Sequence, residues 1–308
     1  MKTIVLITDT FTAEGVEALR EKFEIRGSKH ATPTAQELQG VEAMIIRSRT
    51  KVNRELLQQA PNLKRVVTAT SGYDHIDLEA CDERGISTYY TPDANYNAAA
   101  ELTLMLMLSA LRRQPEITKV LREQKWKDAL KPGRELKNKI VGIIGLGRVG
   151  GRVAELAQAF GAEVLAHDPY TGDEKFEALK IARLGLTEVL VQADIVSLHV
   201  PLTKETRHII SHGTLEHCKD GFILINTSRG QVVDEGALIS ALENGQITAA
   251  GMDVFEHEPL SRDSRLRKMP TVVLTPHVGA MTDEALSMAS ELAALTLANP
   301  ASAVLIPR

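Results

Sequence analysis

Short apolar runs rich in Ile, Val and Leu recur along the chain and alternate with stretches in which apolar residues return every three or four positions. The first pattern predicts buried parallel strands and the second predicts amphipathic helices. Residues 3–7, 43–46, 65–69 and 86–90 read as strands, with helices expected over 11–23, 54–59 and 76–84. The longest helical pattern runs from 95 to 113, and residues 114–138 are polar, charge-rich and contain the single tryptophan, Trp126. Strands are expected again at 140–144, 164–166, 195–198, 222–226, 248–252 and 272–274, with helices between them, notably 235–244. The last segment, 283–298, is helical and has no strand after it. Such alternation predicts an α/β protein with a parallel sheet in each half.

One stretch carries more than a fold. The strand at 140–144 runs into Gly145, Gly147 and Gly150, spaced as G-x-G-x-x-G, and Val153, Leu156, Ala157 and Phe160 then follow at helical spacing. A second strand ends at Asp168, 23 residues after Gly145. The order of strand, glycines, helix, strand and acid is that of a dinucleotide site. Its first glycine permits the tight turn, its second lets the backbone approach a pyrophosphate, and its third lets helix and strand pack closely. The helix N-terminus offers N–H groups to the phosphates. A carboxylate at Asp168 can accept from ribose hydroxyls and repels a 2′-phosphate, so NAD is expected in preference to NADP.

Composition narrows the classes. At 308 residues there is room for two domains. A net charge of −4 gives no global reason to expect nucleic acid or an anionic membrane as partner. Cys81 and Cys218, far apart, suggest neither a disulfide framework nor a zinc site, and no metal is expected. The N-terminal apolar run is too short for a signal peptide, and the patch from 102 to 111 is half of a membrane span. A cytoplasmic protein is expected.

Polar residues collect where the later strands end. Arg229 follows the strand at 222–226, Asp253 and Glu258 follow that at 248–252, and His277 follows that at 272–274. In an open α/β sheet the ligand crevice lies outside the carboxyl ends of the strands, so these residues can converge. Arginine grips a carboxylate bidentately, and histidine exchanges protons near neutral pH. A glutamate on the other ring nitrogen would fix the imidazole and favour its protonated form.

The chain resembles the D-isomer-specific 2-hydroxyacid dehydrogenases over essentially its full length. The resemblance rests on IGLGRVGGRVA (144–154), HVPLTKETRHII (199–210), INTSRGQVVDEGAL (225–238), GMDVFEHEP (251–259) and TPHVGA (275–280). It implies two doubly wound parallel-sheet domains, a Rossmann NAD-binding domain (96–282) inserted into a flavodoxin-like substrate domain (1–95 plus 283–308). It also implies catalytic roles for Arg229, Glu258 and His277, with Glu258 and not Glu256 as the partner of the histidine. Cofactor contacts are implied for Gly145, Gly147, Arg148, Val149, Gly150 and Asp168, and on the nicotinamide side for Val200, Thr227, Asp253, Gly279 and Ala280. The substrate carboxylate is expected on Ser71 and Gly72. His199 and His208 have no assigned chemistry, and the other histidines read as structural or exposed.

The implied activity is NAD-dependent interconversion of a D-2-hydroxy acid and a 2-oxo acid. Arg47-Ser48-Arg49-Thr50 resembles the stretch that faces the far end of the substrate in 3-phosphoglycerate dehydrogenases, which points to Arg47 as a phosphate ligand. Glyoxylate or hydroxypyruvate reduction uses the same trio and is the alternative. A different alternative is an NAD-sensing, corepressor-like binding protein. Trp126, 19 residues before Gly145, matches a dimer-contact tryptophan, so a homodimer through the NAD-binding domain is expected. Because the chain stops at residue 308, a C-terminal regulatory domain and serine feedback through it are not expected.

Overall fold

The computed structural model describes residues 2–28 and 30–307. The chain divides into two compact units, Met1–Tyr96 with Ala280–Arg308, and Asn97–Gly279.

The first unit runs β1 (Thr3–Ile7), α1 (Ala13–Arg20), β2 (Phe23–Gly27), α2 (Ala35–Leu38), β3 (Ala43–Ile46), α3 (Arg54–Gln59), β4 (Arg65–Thr68), α4 (Leu78–Glu83) and β5 (Ser87–Tyr90). Its sheet is parallel throughout, in the order β2-β1-β3-β4-β5. This is the flavodoxin-like order, whose switch point lies between β1 and β3. Strand β3 shows why its run is continuously apolar. Ala43 and Ile45 enter the core on one face of the sheet, while Met44 and Ile46 enter the core on the other. Each large aliphatic side chain so buried contributes about 1.5–3 kcal/mol.

The sequence pattern predicts a helix as far as Phe23, but α1 ends at Arg20 and Phe23 opens β2. The alternation of Phe23, Glu24, Ile25 and Arg26 suits an edge strand with only one covered face, and pairing with β1 decides it. Residues 114–138 also contain an element that their polarity conceals.

The second unit comprises α5 (Tyr96–Leu111), α6 (Gln114–Arg122), β6 (Ile140–Ile144), α7 (Arg148–Ala159), β7 (Glu163–His167), α8 (Asp173–Leu179), β8 (Ala182–Arg183), α9 (Leu186–Gln192), β9 (Ile195–Leu198), α10 (His212–Leu215), β10 (Phe222–Asn226), α11 (Glu235–Asn244), β11 (Ile247–Met252) and β12 (Val272–Leu274). The parallel sheet has the order β12-β11-β10-β9-β6-β7-β8. Counted from β6, this is the dinucleotide-binding order with one further strand, and the direction of winding reverses between β6 and β9. Along β10, Phe222 and Leu224 face one core and Ile223 and Ile225 the other. Helix α6 has no buried residue, and its Ile117 and Leu121 stand exposed, as does Trp126 just beyond it.

The last helix, α12 (Asp283–Ala298), returns to the first unit. Ala289, Ala293, Ala294 and Leu297 join Val5, Ile7 and Leu19 in its core. Helices α1 and α12 approach closely at Gly15, where a Cβ would lie 2.9 Å from Ser290 Cβ. Cys81 and Cys218 are both buried, and no disulfide forms among the described residues.

Candidate active site

The glycine turn after β6 is built by contacts that side chains would forbid. Gly145 has φ +93, and a Cβ there would lie 2.6 Å from the His199 carbonyl oxygen and 2.9 Å from Val200 Cγ1. At Gly150 a Cβ would stand 2.0 Å from the Gly145 carbonyl oxygen, so strand and helix are in backbone contact. Nothing lies within 4 Å of the Cβ position of Gly147, the residue that opens α7. Arg148 and Val149 occupy the first turn of that 12-residue helix, where backbone N–H groups have no intrahelical partner. The turn therefore fits a pyrophosphate.

Asp168 lies at the end of β7, half-buried beside the turn. Its Oδ2 accepts from Leu146 N–H at 2.8 Å and Thr171 Oγ1 at 2.9 Å, and its Oδ1 accepts from the N–H groups of Tyr170 and Thr171 at 2.9 and 3.0 Å. Burial would raise this carboxyl's pKa, but the four donors together hold it below the usual range. Asp168 thus stays ionised and braces the glycine turn. No sequence signal predicts the contribution of Lys175, whose Nζ reaches over Gly151 to donate to the Gly147 carbonyl at 2.8 Å.

Arg229, Glu258 and His277 come from three separate strand ends. The His277 Nδ1–H donates to Glu258 Oε2 at 2.7 Å, and Glu258 Oε1 accepts from Phe255 N–H at 3.1 Å. The Glu258 hydrogen bond raises the His277 pKa against the opposing effect of burial. Burial pushes Glu258 the other way, but His277, Phe255 N–H and the Arg229 charge hold its pKa low. The guanidinium acts on both members of the pair electrostatically, and Arg229 Nη1 donates to the Ser228 carbonyl at 2.7 Å. His277 and Glu258 keep 41% and 37% of their side chains exposed, enough for a reactant to reach them.

Asp253 is only 1% exposed and braces the histidine loop. Its Oδ1 accepts from Thr275 Oγ1 at 2.6 Å and Val278 N–H at 2.9 Å, its Oδ2 from Gly279 N–H at 3.0 Å, and its carbonyl from His277 N–H at 2.8 Å. These bonds hold His277 at φ +54. Thr227, just past β10, is tied to α5 by a 2.7 Å bond between its hydroxyl and that of Thr103. His199 donates or accepts at Ser197 Oγ, 2.9 Å away, and burial pushes its pKa down to about 3, so it stays neutral. Ala280 begins the returning segment of the first unit.

In the first unit, Arg47 follows β3 and Ser71-Gly72 follow β4, both at carboxyl ends of the sheet. Arg49 pairs with Asp9 at 3.0 Å, whereas Arg47 pairs with no carboxylate among the described residues. Ser71 Oγ donates to Asn95 Oδ1. Thr70 Oγ1 donates to the Gly72 carbonyl at 2.7 Å and meets Thr68 Oγ1 at 2.7 Å, which in turn meets His75 Nε2 at 3.0 Å. That relay shapes the small-residue loop, and the spacing of its members gives no hint of it.

The profile of the NAD-binding domain of D-isomer specific 2-hydroxyacid dehydrogenases matches residues 104–279. The chain belongs to that family. It is 38% identical to the D-3-phosphoglycerate dehydrogenase of Archaeoglobus fulgidus over 284 residues, 91% of this chain and 54% of the relative. The chain therefore spans about half the length of the curated relatives it matches. Among solved structures it superposes on a glyoxylate reductase from Paecilomyes thermophila with a TM-score of 0.91, at 29% identity and covering 99% and 98% of the two chains. It also matches the Aquifex aeolicus D-lactate dehydrogenase complexed with NAD and lactic acid, with a TM-score of 0.85, 31% identity and 96% and 95% coverage. As in that family, the second unit is an NAD-binding domain. No helix among the described residues is long and apolar enough to cross a membrane.

Proposed function

We propose that the protein is an NAD-dependent D-2-hydroxyacid dehydrogenase acting on the 3-phosphoglycerate/phosphohydroxypyruvate pair. The observation that carries the reading is the 2.7 Å bond between His277 Nδ1 and Glu258 Oε2 with the Arg229 charge beside it. It leaves His277 Nε2 as the proton-exchanging atom. A bound nicotinamide would supply the hydride acceptor for oxidation and the hydride donor for reduction. In oxidation His277 Nε2 takes the hydroxyl proton as C2 loses its hydride, and in reduction the imidazolium returns that proton to the carbonyl oxygen. Glu258 stabilises the charged ring, and Arg229 holds the substrate carboxylate and offsets charge developing on oxygen.

Ser71 and Gly72 serve the carboxylate from their shaped loop. Arg47 serves the far end of the substrate. A guanidinium binds two phosphate oxygens at once, and among the described residues this one is paired with no carboxylate. The relatives named D-3-phosphoglycerate dehydrogenase support the same choice. On the cofactor side, Gly145, Gly147, Arg148, Val149, Gly150 and Asp168 hold the adenosine and pyrophosphate half, and Val200, Thr227, Asp253, Gly279 and Ala280 serve the nicotinamide half.

A second reading, glyoxylate or hydroxypyruvate reduction, has the superposition on a glyoxylate reductase in its favour. The enzyme is further proposed to be a cytoplasmic homodimer joined through the NAD-binding domain, supported by the exposed apolar residues of α6 and by Trp126, 69% exposed.

A panel of 2-oxo acids assayed with NADH tests these readings together. Phosphohydroxypyruvate should give the highest kcat/KM. A higher value for glyoxylate would transfer the assignment to the second reading. Absence of turnover with every 2-oxo acid, with NADH binding intact, would favour a cofactor-sensing protein.

A further inference from the structure

Two side chains outside the trio fasten the segments that carry it. Gly230 follows Arg229 directly and lies flat on the next strand's loop: a Cβ there would stand 1.8 Å from both the carbonyl carbon and oxygen of Phe255, and 2.5 Å from Glu256 N. The turn that carries Arg229 is therefore in backbone contact with the turn that carries Glu258. Gln231 Nε2 adds a bond to the Glu256 carbonyl at 2.9 Å.

A third segment closes over this junction. The His208 N–H donates to the Gln231 carbonyl at 2.9 Å, Ile210 N–H to the Val232 carbonyl at 3.1 Å, and Asp234 N–H to the Ile210 carbonyl at 2.8 Å. In making its bond His208 takes φ +53, a conformation that residues with a Cβ keep only where surrounding contacts hold it. The contact is made by its own ring. His208 Nε2 lies 2.9 Å from Glu256 Oε1, with 36% and 26% of the two side chains exposed. Glu256 is thus held at its carbonyl by Gln231 and at its carboxylate by His208. The other titratable groups at this junction are Glu235, at the start of α11, and His257. Glu235 is acidic and cannot replace the imidazole as the partner of Glu256.

We infer that His208 and Glu256 are a positioning pair, whose hydrogen bond clamps the Arg229 turn to the Glu258 turn and so sets the spacing of guanidinium and dyad that a 2-oxo acid meets. The inference rests on the assignment of Arg229, Glu258 and His277 to the reaction. Neither residue of the pair touches reacting atoms. Their importance comes from geometry, because a displacement of about 1 Å in a reacting constellation can cost about a hundredfold in rate.

The test uses His208→Ala, Glu256→Ala, the double variant and His208→Gln, whose amide can still donate to Glu256. In steady-state reduction with NADH, each alanine variant should raise the KM for the 2-oxo acid and lower kcat, together costing about ten- to a hundredfold in kcat/KM. The Kd for NADH, read by fluorescence titration, should stay within about twofold, since the pair does not touch the glycine turn. The double variant should be no worse than the more damaged single variant, and His208→Gln should recover most of the loss. Amide hydrogen exchange should quicken over residues 229–233 and 254–259 and stay unchanged over 145–151. Unchanged kinetics in His208→Ala, equal losses for substrate and NADH, or additive losses in the double variant would each overturn the pair. If the unaltered protein reduces no 2-oxo acid, the assigned reaction fails, and hydrogen exchange still decides the clamp: unchanged exchange at 229–233 and 254–259 refutes it, and quickened exchange supports it.

Discussion

His277 Nδ1 lies 2.7 Å from Glu258 Oε2, and the histidine reaches that carboxylate from a left-handed backbone at φ +54 that the carbonyl and carboxylate of Asp253 hold in place. The dyad is thus a product of two loops, each ending a different strand, joined by a buried aspartate that itself faces away from solvent. Its electrostatics follow from the pairing. The glutamate stabilises the charged ring more than burial destabilises it, so the imidazole stays protonated to a higher pH than an ordinary histidine.

That raised pKa sets a sign for the pH dependence. Reduction needs the protonated ring, so kcat for a 2-oxo acid should hold up through the ordinary histidine range and fall as pH rises through the raised value. Glu258→Gln removes the charge, and the alkaline fall should move to lower pH. His277→Ala should lose about 10²–10⁴-fold in kcat. The same linkage acts on stability: the contribution of His277 is complete below the unfolded histidine pKa and is lost as pH climbs through the folded one, while that of Glu258 is lost as pH falls through its lowered pKa. A pH–rate series on the three proteins checks this, and an alkaline limb that stays put in Glu258→Gln would disconnect the dyad from proton transfer.

Asp168 should govern both cofactor choice and the integrity of the glycine turn. Its carboxylate accepts from Leu146, Tyr170 and Thr171, so Asp168→Ala takes the acceptor from the N–H of buried Leu146, at about 1–3 kcal/mol. Thermal stability should fall, and the preference for NADH over NADPH should narrow because the charge opposing a 2′-phosphate is gone. Asp168→Asn removes the charge but keeps one of the two acceptor oxygens, so it should narrow the cofactor preference as far as Asp168→Ala while costing less stability. Titration of both variants with each cofactor is the measurement, and an unaltered protein that binds both equally well would contradict the role given to this charge.

Arg47 bears on the substrate. A charge-assisted hydrogen bond is worth about 1.5–3 kcal/mol, so Arg47→Ala should lower kcat/KM for phosphohydroxypyruvate by about ten- to a hundredfold. Glyoxylate has no far end and should be nearly unaffected. Equal losses on both would make Arg47 structural. Arg49→Ala is the control, since Arg49 is engaged with Asp9.

Gly230 offers a test of the packing alone. With Phe255 backbone atoms 1.8 Å from the Cβ position, Gly230→Ala must push two turns apart. Overpacking of this kind typically costs about 1–3 kcal/mol, or about 2–12 °C in Tm for a unit of this size. Differential scanning fluorimetry should register the loss, and an unchanged Tm would mean that the two turns part freely.

Trp126 bears on assembly. If it anchors a homodimer, Trp126→Ala should weaken self-association by about thirtyfold or more, the effect of losing an interface residue worth at least about 2 kcal/mol. Sedimentation over a concentration series reads this directly. A monomer in the unaltered protein at micromolar concentration, with full activity, would remove the basis of the dimer.

Much of this protein is local in origin and was therefore legible in its sequence. Short apolar runs such as 222–225 read as strands covered on both faces, and the spacing of Gly145, Gly147, Gly150 and Asp168 answers to one strand–turn–helix–strand unit that is contiguous in the chain. Where the local signal was weak, the neighbours decided. Phe23–Gly27 became a strand because β1 offered it an edge, and α6 formed in a polar, charge-rich segment with no buried residue to mark it. The assembly of Arg229, Glu258 and His277 depended on parallel strands laying three distant loops along one sheet edge. The bonds from Asp168 to Leu146, Asp253 to Gly279, Lys175 to Gly147 and His208 to Glu256 link residues 22 to 48 positions apart. Hydrophobic periodicity carries no record of such contacts, because they arise only once backbone segments are close enough for one side chain to satisfy the polar groups of another, and that closeness belongs to the folded chain.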